Sequence, residues 1–228
     1  MSATIILTAS DGFELAAYLA VPDGVPRGGV VVIQEIFGVN AHIRDVADGY
    51  SADGYIAIAP ALFDRLERGV DLGYTGPDIE IGRDLARGRT DFARAVSDTE
   101  DAASLVRTML PASGKVGCVG YCWGGVVAAA SATSSVSKVD ASVSYYGSGT
   151  VSLIGEPLIA PLLCHYGDQD TSIPPADIDK MRGAWPSAEV FVYPAQHGFN
   201  CDRREQYDPV ARELARTRTL EFFGRHLG

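Results

Sequence analysis

Gly120-Tyr121-Cys122-Trp123-Gly124-Gly125 stands between an apolar run, Lys115–Val119, that reads as a strand and a segment that turns helical near Gly124. Glycines on both sides of Cys122 are what a tight strand-to-helix turn needs, because backbone approaches backbone there. Such a turn holds its central side chain exposed above the sheet, where the commoner form of this pattern carries serine. The amides opening the next helix favour negative charge, so the turn suits a thiolate. The plainer alternative is a glycine turn whose cysteine only packs. The surrounding sequence decides between the two.

Working outward, short apolar runs alternate with helix-length segments. Asp11-Gly12, between Ile5–Thr8 and Phe13–Ala20, signals a hairpin. Val30–Gln34 and Tyr55–Ala59 read as strands buried on both faces of a parallel sheet, with a helix over Ala41–Ala52 between them. From Ala61 to Thr90 the periodicity dissolves into Gly, Asp and Arg, as expected of a long surface excursion. Phe92–Met109 is helical. Strands follow at Val139–Tyr145, Leu158–Tyr166 and Glu189–Tyr193. A last amphipathic helix carries Val210, Leu214, Thr217, Leu220, Phe223 and Leu227 as its expected inner stripe. Strands separated by helices predict one α/β domain over residues 1–228, its mostly parallel sheet covered on both faces.

Two loops add chemistry to the turn. Gly167-Asp168-Gln169-Asp170 follows one strand and Ala195-Gln196-His197-Gly198-Phe199 follows another. The order nucleophile, acid, histidine, each at a strand's end, is the α/β-hydrolase order. Asp170 is the preferred acid, with Asp168 assigned to the turn itself. In this fold the loop after Val30–Gln34 supplies one oxyanion donor and the residue after the nucleophile the other, which nominates the amides of Ile36 and Trp123. Glu35, at the end of a buried strand beside that loop, is costly to bury without a partner. It is therefore either close to Cys122 or held in a salt bridge. Cys118 and Cys164 fall inside strands and read as inert. No His/Cys spacing matches a metal site, and no phosphate loop is present.

Composition narrows the function classes. The chain has 228 residues, 46% hydrophobic and 21% charged, which is globular rather than disordered. Its net charge of −10 argues against nucleic acid as a partner. Four cysteines do not make a disulfide scaffold. The N-terminus lacks a basic region before Asp11, and no apolar stretch spans a bilayer, so a cytoplasmic protein without a membrane partner is expected.

Taken together, Gln34-Glu35-Ile36-Phe37-Gly38-Val39-Asn40, the Cys122 turn, Tyr145-Tyr146-Gly147, the Asp170 loop, His197-Gly198-Phe199 and Arg218-Thr219-Leu220 resemble the dienelactone hydrolase (carboxymethylenebutenolidase) family. The resemblance implies a lid-less α/β-hydrolase that opens the lactone ring of dienelactone to maleylacetate, without a cofactor. It implies a resting Cys122 thiol held against Glu35, with His197 and Asp170 completing the machinery, and Tyr145 bordering the site. Phe37 and Phe199, with Trp123 and Tyr145, would shape the pocket. Members of the family hold an anionic substrate with two arginines. Arg83 is the preferred match for the first, with Arg87 and Arg89 as competitors. The second position holds Cys201, with Arg203 and Arg204 just beyond. A cysteine esterase or lactonase for other small esters, and a thiol redox sensor pairing Cys122 with Cys201, remain as alternatives.

Overall fold

The computed structural model describes every residue, Met1–Gly228. Eight strands form one sheet: β1 (Ser2–Thr8), β2 (Glu14–Ala20), β3 (Gly28–Ile33), β4 (Tyr55–Pro60), β5 (Val116–Tyr121), β6 (Ala141–Tyr145), β7 (Leu162–Gly167) and β8 (Glu189–Tyr193). They lie in the order β1-β2-β4-β3-β5-β6-β7-β8. β1 and β2 form the antiparallel hairpin, and β2 pairs antiparallel with β4; every later pairing is parallel. The continuous apolar strands follow from burial on both faces. Val30 and Val32 enter one core while Val31 and Ile33 enter the other, as successive side chains alternate across a pleated strand.

Six helices cover the sheet: α1 (Ala41–Ala52), α2 (Gly76–Arg83), α3 (Phe92–Thr108), α4 (Trp123–Thr133), α5 (Pro175–Ala184) and α6 (Pro209–His226). None is long and apolar enough to cross a membrane. α4 is apolar all round and buried from Trp123 to Ala132, as expected of a helix inside the core rather than on its rim.

Two expectations need correction. The excursion over residues 61–90 is not irregular throughout: it contains α2, continued by a π-helical turn, Asp84–Arg89. Only Gly82, Leu85 and Ala86 of these are buried, so no apolar stripe marked them. α6 is also rotated from its expected phase. Val210 and Leu214 are 76% and 43% exposed, while Ala211, Ala215, Thr219, Phe222 and Phe223 face inward. A buried polar link sets that orientation. The Thr219 hydroxyl bonds both the Tyr145 hydroxyl at 2.7 Å and His165 Nε2 at 3.0 Å. Those buried groups would be left unpaired in the other phase, at a cost that offsets the exposure of Val210 and Leu214.

Candidate active site

β5 runs straight into α4 through Cys122, whose φ of 54° and ψ of −118° are strained for a residue with a side chain. The turn closes only with glycines. A Cβ on Gly120 would stand 1.9 Å from the Gly124 carbonyl oxygen, and one on Gly124 2.3 Å from that of Gln34. The Cys122 amide donates to the Tyr145 carbonyl at 3.0 Å, and its own carbonyl accepts from the Gly125 amide at 2.9 Å. The strained residue is thus held from both sides. The amides of Ile36 and Trp123 donate to no backbone carbonyl, which is what the expected oxyanion donors require.

His197 reaches Cys122 from the loop after β8, and its Nδ1 lies 2.7 Å from Asp170 Oδ2. Asp168 is exposed; Asp170 is buried and also accepts from the Ser172 amide at 2.8 Å. Burial opposes charging His197, but Cys122 and the Asp170 hydrogen bond outweigh it and lift the imidazole to about 10. The edge of the imidazole meets Tyr146, with centroids 5.0 Å apart. Cys122 and Tyr146 are the chain's two non-glycine residues with positive φ. That strain sits side by side at one site.

The sign of the pH effect follows from that shift. From its ordinary value of 6.5 up to about 10, His197 is protonated in the folded chain and neutral in the unfolded one. Stability from this proton is complete below about pH 6.5 and is lost as pH rises through about 10. Removing Cys122 in Cys122→Ala takes away the largest lifting influence. NMR titration should therefore find the His197 pKa lower in this variant, with the upper edge of the stability window lowered to match. An unchanged pKa would show that Cys122 carries no charge beside it.

Cys122, His197, Ile36 and Phe37 line a cavity of about 290 Å³. α2 and the π-helical turn wall it with Ile79, Arg83 and Arg87, and the loop after β8 adds Arg204. Arg83 is tied to Glu80 at 2.8 Å. Arg87 faces no carboxylate and donates only to Ser148 at 3.2 Å. Arg89 pairs with Asp84 and does not reach the cavity.

Other expected positions differ. Glu35 is fully buried and makes no hydrogen bond to Cys122; its Oε1 accepts from Arg204 Nη1 at 3.1 Å. The resting thiol–Glu35 contact is thus replaced by a buried ion pair, because a guanidinium compensates a buried carboxylate better than a thiol does. Burial disfavours the Arg204 charge, and Glu35 together with Tyr146, Cys122 and Cys201 more than restores it. The second arginine is therefore present in space although Cys201 holds its expected place in sequence. Tyr145 and Phe199 do not line the cavity. The Tyr145 hydroxyl is bound to Thr219, and Phe199 is buried among Tyr145, Tyr146 and Tyr193. Tyr145 supports the site through its carbonyl on the Cys122 amide. Arg204 and Tyr146 carry no sequence spacing that singles them out; the Tyr145-Tyr146 pair marks only the strand end.

A mostly parallel sheet with a cysteine elbow at β5, an acid after β7 and a histidine after β8 defines an α/β-hydrolase. Residues 15–227 match the model of the dienelactone hydrolase family. A Synechocystis protein named "Putative carboxymethylenebutenolidase" is 37% identical, over 96% of this chain and 95% of its own. A Pseudomonas putida carboxymethylenebutenolidase is 34% identical, over 96% and 94%. A solved Klebsiella pneumoniae structure, "Putative Dienelactone Hydrolase", superposes with a TM-score of 0.87 at 29% identity, covering 99% of both chains. The chain belongs to the dienelactone hydrolase family and is a carboxylic-ester hydrolase acting on small lactones or esters.

Proposed function

We propose that this hydrolase opens a small anionic lactone of the dienelactone type, giving maleylacetate from dienelactone itself, with Cys122 as nucleophile. The observation that carries the reading is a strained cysteine beside a His197–Asp170 pair, in a cavity bordered by Arg83, Arg87 and Arg204. The Cys122 thiolate attacks the lactone carbonyl, and the Ile36 and Trp123 amides hold the oxyanion. The ring C–O bond breaks as His197 protonates the departing oxygen, leaving a thioester. Forming the thioester removes the thiolate charge that lifted His197, so the imidazole becomes a competent base. It takes a proton from water, the hydroxide attacks the thioester, and the C–S bond breaks to return thiolate and imidazolium. Asp170 orients the ring throughout. Glu35 positions Arg204, the group through which a bound carboxylate would reach it.

The test is ultraviolet-monitored hydrolysis of cis- and trans-dienelactone beside a neutral activated ester. Turnover of the lactones is the expected result. Turnover of the neutral ester alone would keep the chemistry and overturn the substrate. Within the cavity, Arg87 is the cation without a carboxylate partner. Arg87→Ala should raise KM for the anionic lactone by about 10- to 100-fold, the worth of one charge-assisted hydrogen bond, and leave the neutral ester's KM unchanged. Equal changes for both substrates would count against carboxylate binding there.

A further inference from the structure

Glu35 follows β3, His42 stands in the first turn of α1, and Cys201 lies on the loop after β8. Each of the three buried side chains offers one donor atom, and these atoms lie within 4.8 Å of one another. Glu35 Oε2 and His42 Nε2 are buried without any hydrogen-bond partner. Native proteins leave few such atoms unsatisfied, and here two belong to one cluster with a thiol. The other polar atom of each charged or imidazole group faces a partner outside the cluster. His42 Nδ1 lies 3.6 Å from Asp202, and Glu35 Oε1 accepts from Arg204. A carboxylate behind the second nitrogen is how metal-binding imidazoles are oriented.

A cavity of about 240 Å³, separate from the one at Cys122, is lined by His42, Asn200, Asp45 and Asp202. Arg212 and Arg216 also line it, each already facing a carboxylate, Glu213 and Asp53. We propose that Glu35, His42 and Cys201 form a binding site for a divalent cation of the zinc class, entered from this second cavity. Mixed oxygen, nitrogen and sulfur donors favour a borderline-soft ion over magnesium or calcium, which take oxygen. Bonds of about 2.0–2.3 Å put tetrahedral donors roughly 3.3–3.8 Å apart, so closing the triangle takes movements of about 1 Å. A water completes the fourth position.

Binding breaks the Cys201 S–H bond. The proton goes to solvent, the sulfur lone pair forms the metal–sulfur bond, and no oxidation state changes. An ordinary thiol is protonated at neutral pH, and only the thiolate ligates a metal. One proton is therefore released per cation at neutral pH.

The site shares Glu35 with the ion pair to Arg204, so its test uses Cys122→Ala protein and reads cation binding rather than hydrolysis. The chelator-treated, dialysed variant is titrated with cobalt(II) alone, following thiolate-to-cobalt charge-transfer absorption and proton release. One equivalent should saturate the band and release one proton. Adding Cys201→Ser should abolish the band, and adding His42→Gln should weaken binding by more than the roughly 10- to 100-fold typical of an outer-shell change. No band at a large excess of cobalt, a band that survives Cys201→Ser, or cobalt bound without proton release would each overturn the assignment. The proton count comes from the Cys122→Ala protein itself and stands even if a further substitution prevents folding.

Discussion

Cys122→Ala lowers kcat/KM for lactone and ester hydrolysis by about 10⁴-fold or more, the scale of losing a covalent nucleophile. The free Ile36 and Trp123 amides and the His197–Asp170 pair remain, so the residue of activity reports what they do without a thiolate. A loss of less than tenfold would remove Cys122 from the mechanism. The same position separates activity from stability. Its φ of 54° is maintained by the surrounding hydrogen bonds rather than by preference. Cys122→Gly relieves that strain and should be inactive yet more stable by about 1–2 kcal/mol. Thermal unfolding would show a rise of about 2–4 °C per kcal/mol. A melting point below that of the parent chain would mean that the side chain's packing and its support of the His197 charge outweigh its backbone cost.

Arg204→Gln has the second large effect, and on stability first. Arg204 and Glu35 form an ion pair with little solvent access, and Arg204 also lies over the rings of Phe37 and Tyr74 at 5.9 and 5.8 Å. Deleting the cation leaves Glu35 buried and uncompensated, a loss of about 3–5 kcal/mol. For a chain of this length, that corresponds to a melting temperature roughly 10 °C lower. The double variant Glu35→Gln/Arg204→Gln should recover most of it, since neither buried group is then charged. Failure of the second substitution to rescue would assign the loss to ring packing. Function separates differently: the double variant remains impaired toward an anionic lactone, because the cavity has lost a cation.

Much of this architecture is written locally. Val30–Ile33 reads as a two-faced buried strand because both faces of β3 are covered. The Cys122 turn is legible because glycine is required where backbone meets backbone. The acid and histidine follow their strands in an order that a parallel sheet brings together at one end. α2 and the π-helical turn are not legible, since they expose most of what they carry and repeat no apolar period. The phase of α6 is ambiguous in the same way. Val210 and Leu214 make a plausible stripe, and the burial of Thr219 between Tyr145 and His165, with Phe222 beside it, is against it.

Sequence alone determined the strands, the elbow, the nucleophile–acid–histidine order and the family, because each rests on short-range backbone preference or on residue identity within one loop. Tertiary structure decided which charges meet. It set Arg204 on Glu35, left Arg87 without a carboxylate, kept Tyr145 and Phe199 out of the cavity lining, and gathered Glu35, His42 and Cys201 into one buried cluster. Those residues come from separate loops and helices, and no spacing rule along the chain encodes their approach. Their partners are chosen by the cost of burying a charge or polar group alone, which arises only once the sheet has closed around them.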